Sequence, residues 1–214
     1  MQDKILNITN GDYFNAYFMA KFGGVAIPFC ENMMDGAVLT DLFSDRFVKL
    51  RCAALKVTEG EYRQKMRVPE ALAANDYAKI CLWFGKDTFC QMNLLALLAY
   101  LEQIDCRVPL TLYYVDDETL EVIEGNIDVT LGRYRQIYQE IFLSRALPRD
   151  LGVLHKRAIE LYFDYHSQDG MLSRLVRENA DKTRSELICL LLGASKEYGL
   201  SDLQAEGLID NDFG

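Results

Sequence analysis

The chain has 214 residues, half of them hydrophobic, with four prolines and a formal net charge of −9. A chain of this size and composition can bury a core without staples, which excludes a disordered or low-complexity protein. Its acidic balance repels phosphate backbones, so nonspecific nucleic-acid binding is disfavoured.

No run approaches the roughly 20 apolar residues that span a bilayer. The longest, Leu94 to Leu101, stops at Glu102 and Gln103. Met1-Gln2-Asp3-Lys4 lacks the basic start of a signal peptide, so a cytoplasmic protein without membrane contact is expected. The six cysteines (Cys30, Cys52, Cys81, Cys90, Cys106, Cys189) show no C-x-x-C spacing and lie away from both histidines. Neither a zinc site nor a disulfide framework is legible.

In chain order, Lys4–Thr9 reads as a strand ending at the turn Asn10-Gly11-Asp12. Phe14, Tyr17, Phe18 and Phe22 then recur at helical spacing, with Asp12 placed to cap and Gly23-Gly24 to stop the helix. Val25–Phe29 follows as a second strand, completing a βαβ-sized unit. Residues 41–57 carry a broad apolar helical stripe, and Thr58 and Glu61 form a capping box ahead of Tyr62–Ala74, which Pro69 breaks or kinks. Ala78–Phe84 is apolar on both faces, as a central parallel strand is. Thr88 and Gln91 have capping-box spacing before a helix to Ile104 that is apolar nearly all round. Leu110–Val115 is a strand ending at Asp116-Asp117-Glu118, and Ile127–Thr130 a short edge strand. Helices are expected at 131–146, 150–166, 170–179, 184–197 and 201–209, the last two opened by Thr183/Glu186 and Ser201/Gln204.

This alternation predicts an α/β fold: a short, mostly parallel sheet flanked by helices, Rossmann-like and three-layered, followed by an all-helical C-terminal region. The division is an α/β domain at 1–125 and a helical region at 126–214 packed on it. Right-handed crossovers place the carboxyl ends of the strands on one side, where open α/β sheets bind ligands near a topological switch point.

The polar clusters after the strands are therefore the candidate ligand-binding residues: Asn10, Gly11 and Asp12; Asp35; Lys86 and Asp87 with Gln91; and Asp116. Trp83, the only tryptophan, is weighed as a stacking surface against a plain core residue. Arg46 stands for the basic segment 46–67, read either as an anion contact or as the solvated face of two amphipathic helices. The acidic residues Asp12, Asp35, Asp116, Asp117 and Glu118 offer carboxylates suited to magnesium, but acidic triplets at strand ends are commonly solvated turns, and no metal is expected. His155 and His166 fall on one helix face, about 16 Å apart along its axis, too far to share a metal. Dinucleotide and P-loop signatures are absent, so no cofactor is indicated. A helix-turn-helix outline near the C-terminus puts Asp202, Glu206 and Asp210 on its second helix, which does not suit a major groove.

Asn7-Ile8-Thr9-Asn10-Gly11-Asp12, Asp35-Gly36-Ala37-Val38 and Leu82 to Gln91 together resemble a bacterial domain-of-unknown-function family, written with an H-I-x-N-G-D opening and a central L-W-F-x-x-D-x-F-x-Q motif. The resemblance covers about residues 4–115. Asn7 replaces its usual His, Ala37 its Pro, and Gly85-Lys86 an acidic-His pair, so any role of those histidines is not carried over. The resemblance implies no activity, although some relatives carry the label of transcriptional regulators. It singles out Asn10, Gly11, Asp12, Trp83, Asp87 and Gln91. The functional expectation is a nucleotide-like or otherwise phosphorylated small molecule bound at the strand carboxyl ends. The alternative is a regulatory or scaffolding protein acting through an exposed apolar patch on 131–209. A homodimer is compatible with both.

Overall fold

The computed structural model describes residues 4–74 and 77–213. Five strands, β1 (Ile5–Asn10), β2 (Ala26–Phe29), β3 (Lys79–Phe84), β4 (Leu110–Val115) and β5 (Val122–Val129), form one sheet in the order β2-β1-β3-β4-β5. The first four are parallel and β5 runs antiparallel to β4. The chain leaves β1 toward β2 on one side and returns as β3 on the other, so the strand order reverses between β1 and β3.

Alternation along the strands separates two cores. Leu6, Ile8, Ile80, Leu82, Phe84 and Leu112 face the main core, together with α2 (Asp45–Leu55), α5 (Thr88–Gln103), α6 (Tyr134–Tyr138) and α7 (Lys156–Tyr165). Cys81, Trp83 and Val115 point the other way, onto Phe14 and Phe18 of α1 (Gly11–Lys21). The expected three-layer α/β architecture is therefore present. α5 is buried nearly all round because both the sheet and the later helices pack on it.

Local signals explain several element ends. Thr58 and Glu61 make the reciprocal capping box of α3 (Glu59–Lys65), and Pro69 sits in the first turn of a separate α4 (Val68–Ala74). Three expectations are corrected. α1 begins at Gly11 behind Asn10, so Asp12 lies in its first turn rather than capping it. Asp87, not Thr88, caps α5, accepting from the Cys90 N–H at 2.9 Å. The edge strand is twice the expected length and starts at Val122, carrying the sheet past residue 125.

The expected 131–146 helix is shorter. It comprises α6 and a continuing π-helical turn at Gln139–Leu143. Thr183 and Glu186 do cap α9 (Arg184–Ala194). α8 (Met171–Glu178), α9 and α10 (Asp202–Phe213) build a third core of their own around Val176, Leu187, Leu191, Tyr198, Ala205 and Leu208, joined by Leu161 of α7. Among the described residues, no helix is long and apolar enough to cross a membrane.

Candidate functional site at the strand carboxyl ends

At the reversal of strand order, Asn10 ends β1 and Gly85 follows β3. The Asn10 amide donates to the Cys90 sulfur at 2.8 Å and accepts from Asn93 at 3.0 Å. Asn93, fully buried within α5, also donates to the Glu31 carbonyl at 2.7 Å and accepts from the Met33 N–H at 3.0 Å. One amide thus ties α5 to the ends of β1 and β2. Sequence reasoning missed it; the available signal was a single amide inside the run Met92–Leu98, where an unsatisfied polar group would be costly.

Beside this network two carboxylates meet. A methyl group added at Gly85 would stand 2.6–2.7 Å from both Asp117 oxygens and 2.7 Å from Asp87 Oδ2, so both acids close on the same bare α-carbon. Asp87 Oδ2 is enclosed, and the donor available to it is the Asp117 carboxyl when that group holds a proton. Ligand atoms of Asp87, Cys90 and Asp117 all lie within 4.8 Å of one another. Loss of water, reinforced by the adjoining Asp87, lifts the Asp117 carboxyl to about 8. Burial and the same two acids push the Cys90 thiol well above its ordinary range, which keeps it neutral. The cluster therefore offers one carboxylate, one carboxyl that holds its proton at neutral pH, a thiol and an amide. Such a set can hold and transfer a proton, and its oxygen and sulfur atoms are of a kind that binds divalent cations.

Two clefts flank the cluster. The larger, about 780 Å³, is lined by Gly11, Asp12 and Tyr13 of the β1–α1 turn, by Cys30 after β2, by Phe89, and by Gly199, Ser201 and Gln204. Gly11 has φ +80°, a conformation that favours glycine. Asp12 pairs with Lys65, which with Arg67 and the Cys30 thiol keeps its carboxyl below the usual range. The smaller cleft, about 300 Å³, is lined by Lys86, Asp87, Asp116, Asp117, Arg157 and Lys196.

The remaining candidates are dispersed. Trp83 is 9% exposed, stacks on Tyr113 at 4.2 Å and donates to Asn7 at 3.0 Å; it belongs to the core under α1. Gln91 is buried, bridging the Gly85 carbonyl at 2.7 Å and the His155 N–H at 3.0 Å. Asp35 accepts from Tyr165, Gln204 and Asn32, tying the β2–α2 loop to the C-terminal helices. Asp116 is engaged by the Glu118 and Thr119 N–H groups of its own turn. Lys86 is paired with Glu124 at 2.8 Å. Arg46 is exposed in the first turn of α2 and lines neither of these two clefts. The carboxylates weighed for magnesium do not converge as a set; of them only Asp117 reaches the cluster. His155 and His166 stand at opposite ends of α7.

Large apolar residues exposed on 131–209 are Leu143 in the π-helical turn, Leu147 in the loop after it and Leu203 on α10. No protein-family model, no curated protein and no solved structure matches this chain.

Proposed function

We propose that this protein binds a small molecule, nucleotide-like or otherwise phosphorylated, at the carboxyl ends of its strands, and acts on it with the Asp87–Asp117–Cys90 cluster. The observation that carries this reading is the pair of acids closed on Gly85, near enough to share a proton. Two acids forced together raise the proton affinity of one of them, and such perturbed groups concentrate at sites of chemistry. The pair also stands where the strand order reverses, the usual place for ligands in open α/β sheets.

The larger cleft takes the body of the ligand, with the exposed ring of Tyr13 as a wall. Lys65, paired with Asp12 of the cleft lining, and Arg67 beside that acid supply positive charge at its edge. Asp117, protonated at neutral pH, serves as general acid and Asp87 as the carboxylate that holds the proton's other side.

Thermal-shift measurements against nucleotides and sugar phosphates test this. A ligand at a hundred times its Kd adds about 2.7 kcal/mol to stability, a rise of several degrees in melting temperature. Lys65→Ala is expected to remove the rise, whereas Asp87→Asn is expected to retain binding and lose turnover. No rise with any phosphorylated compound, or an equal rise in Lys65→Ala, refutes the reading.

A further inference from the structure

Two separate segments line the larger cleft, the β1–α1 turn with Tyr13 and the stretch from Gly199 to Gln204 that leads into α10. They carry the two most exposed large apolar side chains among the described residues. Tyr13 is 77% exposed, and Leu203, which stands between the lining residues Ser201 and Gln204, is 79% exposed. The other aromatic residues of this stretch, Phe14, Tyr17, Phe18 and Phe22, each pack against another ring. The Tyr13 side chain makes no hydrogen bond and no ring contact with any described residue. A ring held out at a cleft of about 780 Å³ offers its face to a planar ligand, and stacking takes apolar surface of both out of water.

The charges beside this ring are unequal. Asp12 lines the cleft and is paired with Lys65, with Arg67 standing close by. Lys65 is engaged by that pair, whereas Arg67 is exposed and has no ion pair among the described residues. The cleft therefore joins three features: an idle aromatic face, a carboxylate of the kind that accepts sugar hydroxyls, and an uncommitted guanidinium suited to a phosphate. A sugar phosphate would leave the ring unused. An aromatic molecule without a phosphate would leave Arg67 unused. Gly199 of the lining lies against Asp87, which puts the cleft next to the acid pair.

We infer that the larger cleft takes a nucleoside monophosphate, its base stacked on Tyr13, its ribose hydroxyls on Asp12 and its phosphate on Arg67. The assignment rests on the proposed function in placing a phosphorylated ligand in this cleft, and it narrows that ligand to a nucleotide.

Calorimetric titration of the full chain with adenosine 5′-monophosphate, uridine 5′-monophosphate, ribose 5-phosphate and adenosine tests it. The tighter of the two nucleotides is expected to bind about tenfold more strongly than ribose 5-phosphate, the difference being the stacked base. Tyr13→Ala, at an exposed position, is expected to weaken that nucleotide about tenfold and to leave ribose 5-phosphate unchanged, while Tyr13→Phe keeps the wild-type affinity. Arg67→Ala is expected to weaken the nucleotide about tenfold and to leave adenosine unchanged. Ribose 5-phosphate binding as tightly as the nucleotides, with Tyr13→Ala silent, overturns the nucleotide and leaves the proposed function standing. Adenosine binding as tightly as its monophosphate, with Arg67→Ala silent, overturns both, since no phosphate is then recognised. Absence of binding by both nucleotides overturns the inference, and the proposed function then stands or falls by the other phosphorylated compounds.

Discussion

Arg51 donates from Nε to Glu31 at 2.5 Å, with neither side chain exposed to solvent. The same guanidinium reaches the carbonyls of Asn32, Asp35 and Ala37, and Tyr62 donates to the far Glu31 oxygen at 3.3 Å. One cation thus orders the loop that carries Asn32 and Asp35 from β2 to α2. Burial raises the Glu31 carboxyl, and Arg51 opposes that rise.

Arg51→Met is therefore expected to cost about 3–5 kcal/mol in urea unfolding, since it strands a buried carboxylate. Adding Glu31→Leu removes the stranded charge and is expected to recover most of that loss. Equal instability of the single and double variants would show that packing, not charge, is at stake.

The acid pair makes stability depend on pH. Asp117 binds its proton more tightly folded than unfolded, from the ordinary 3.8 up to about 8. Between those values the folded state holds more protons, so stability falls as pH rises, and the contribution is lost on passing 8. Melting temperature is expected to drop from pH 6 to pH 9 in the wild type and to be flatter in Asp117→Asn. Gly85→Ala, by driving a methyl between the two acids, is expected to flatten the profile as well. A wild-type slope retained in both variants would assign the dependence to other groups.

Glu102 receives the N–H groups of Gly132, Arg133 and Tyr134 on one oxygen and that of Arg135 on the other. It serves as the anion at the start of α6, supplied from α5. Glu102→Ala is expected to cost about 1–2 kcal/mol and Glu102→Gln about half of that, by analogy with helix caps. Chemical denaturation measures both; equal loss in the two variants would mean that charge adds nothing.

Trp83 separates a core role from a binding one. Packed between Phe18, Phe22 and Tyr113, its replacement in Trp83→Phe is expected to destabilise by about 1–3 kcal/mol and to leave ligand-induced thermal shifts unaltered. A lost shift with unchanged stability would return it to the site.

Periodicity and apolar runs determined the layers. β3 is apolar on both faces because helices cover both, and Phe14 and Phe18 recur at helical spacing because α1 has one sheet to cover. That Asn10 and Asp87 come close together was legible because strand ends at a reversal of order lie side by side. Thr88 and Gln91 had the spacing of a capping box, but a neighbouring Asp87 was better placed to accept, and Gln91 was drawn into the core by Gly85 and His155. Asp117 against Asp116 was beyond sequence: the two are adjacent, and only the path of the chain after β4 brings one against Asp87 and leaves the other to its own turn. The bonds from the Thr88 and Phe89 N–H groups to the carbonyls of Glu197 and Tyr198 likewise join segments far apart in the chain. Local patterns set which segments become strands and helices, because those depend on neighbours a few residues away. Which polar groups meet depends on the packing of whole elements, and that was decided only in three dimensions.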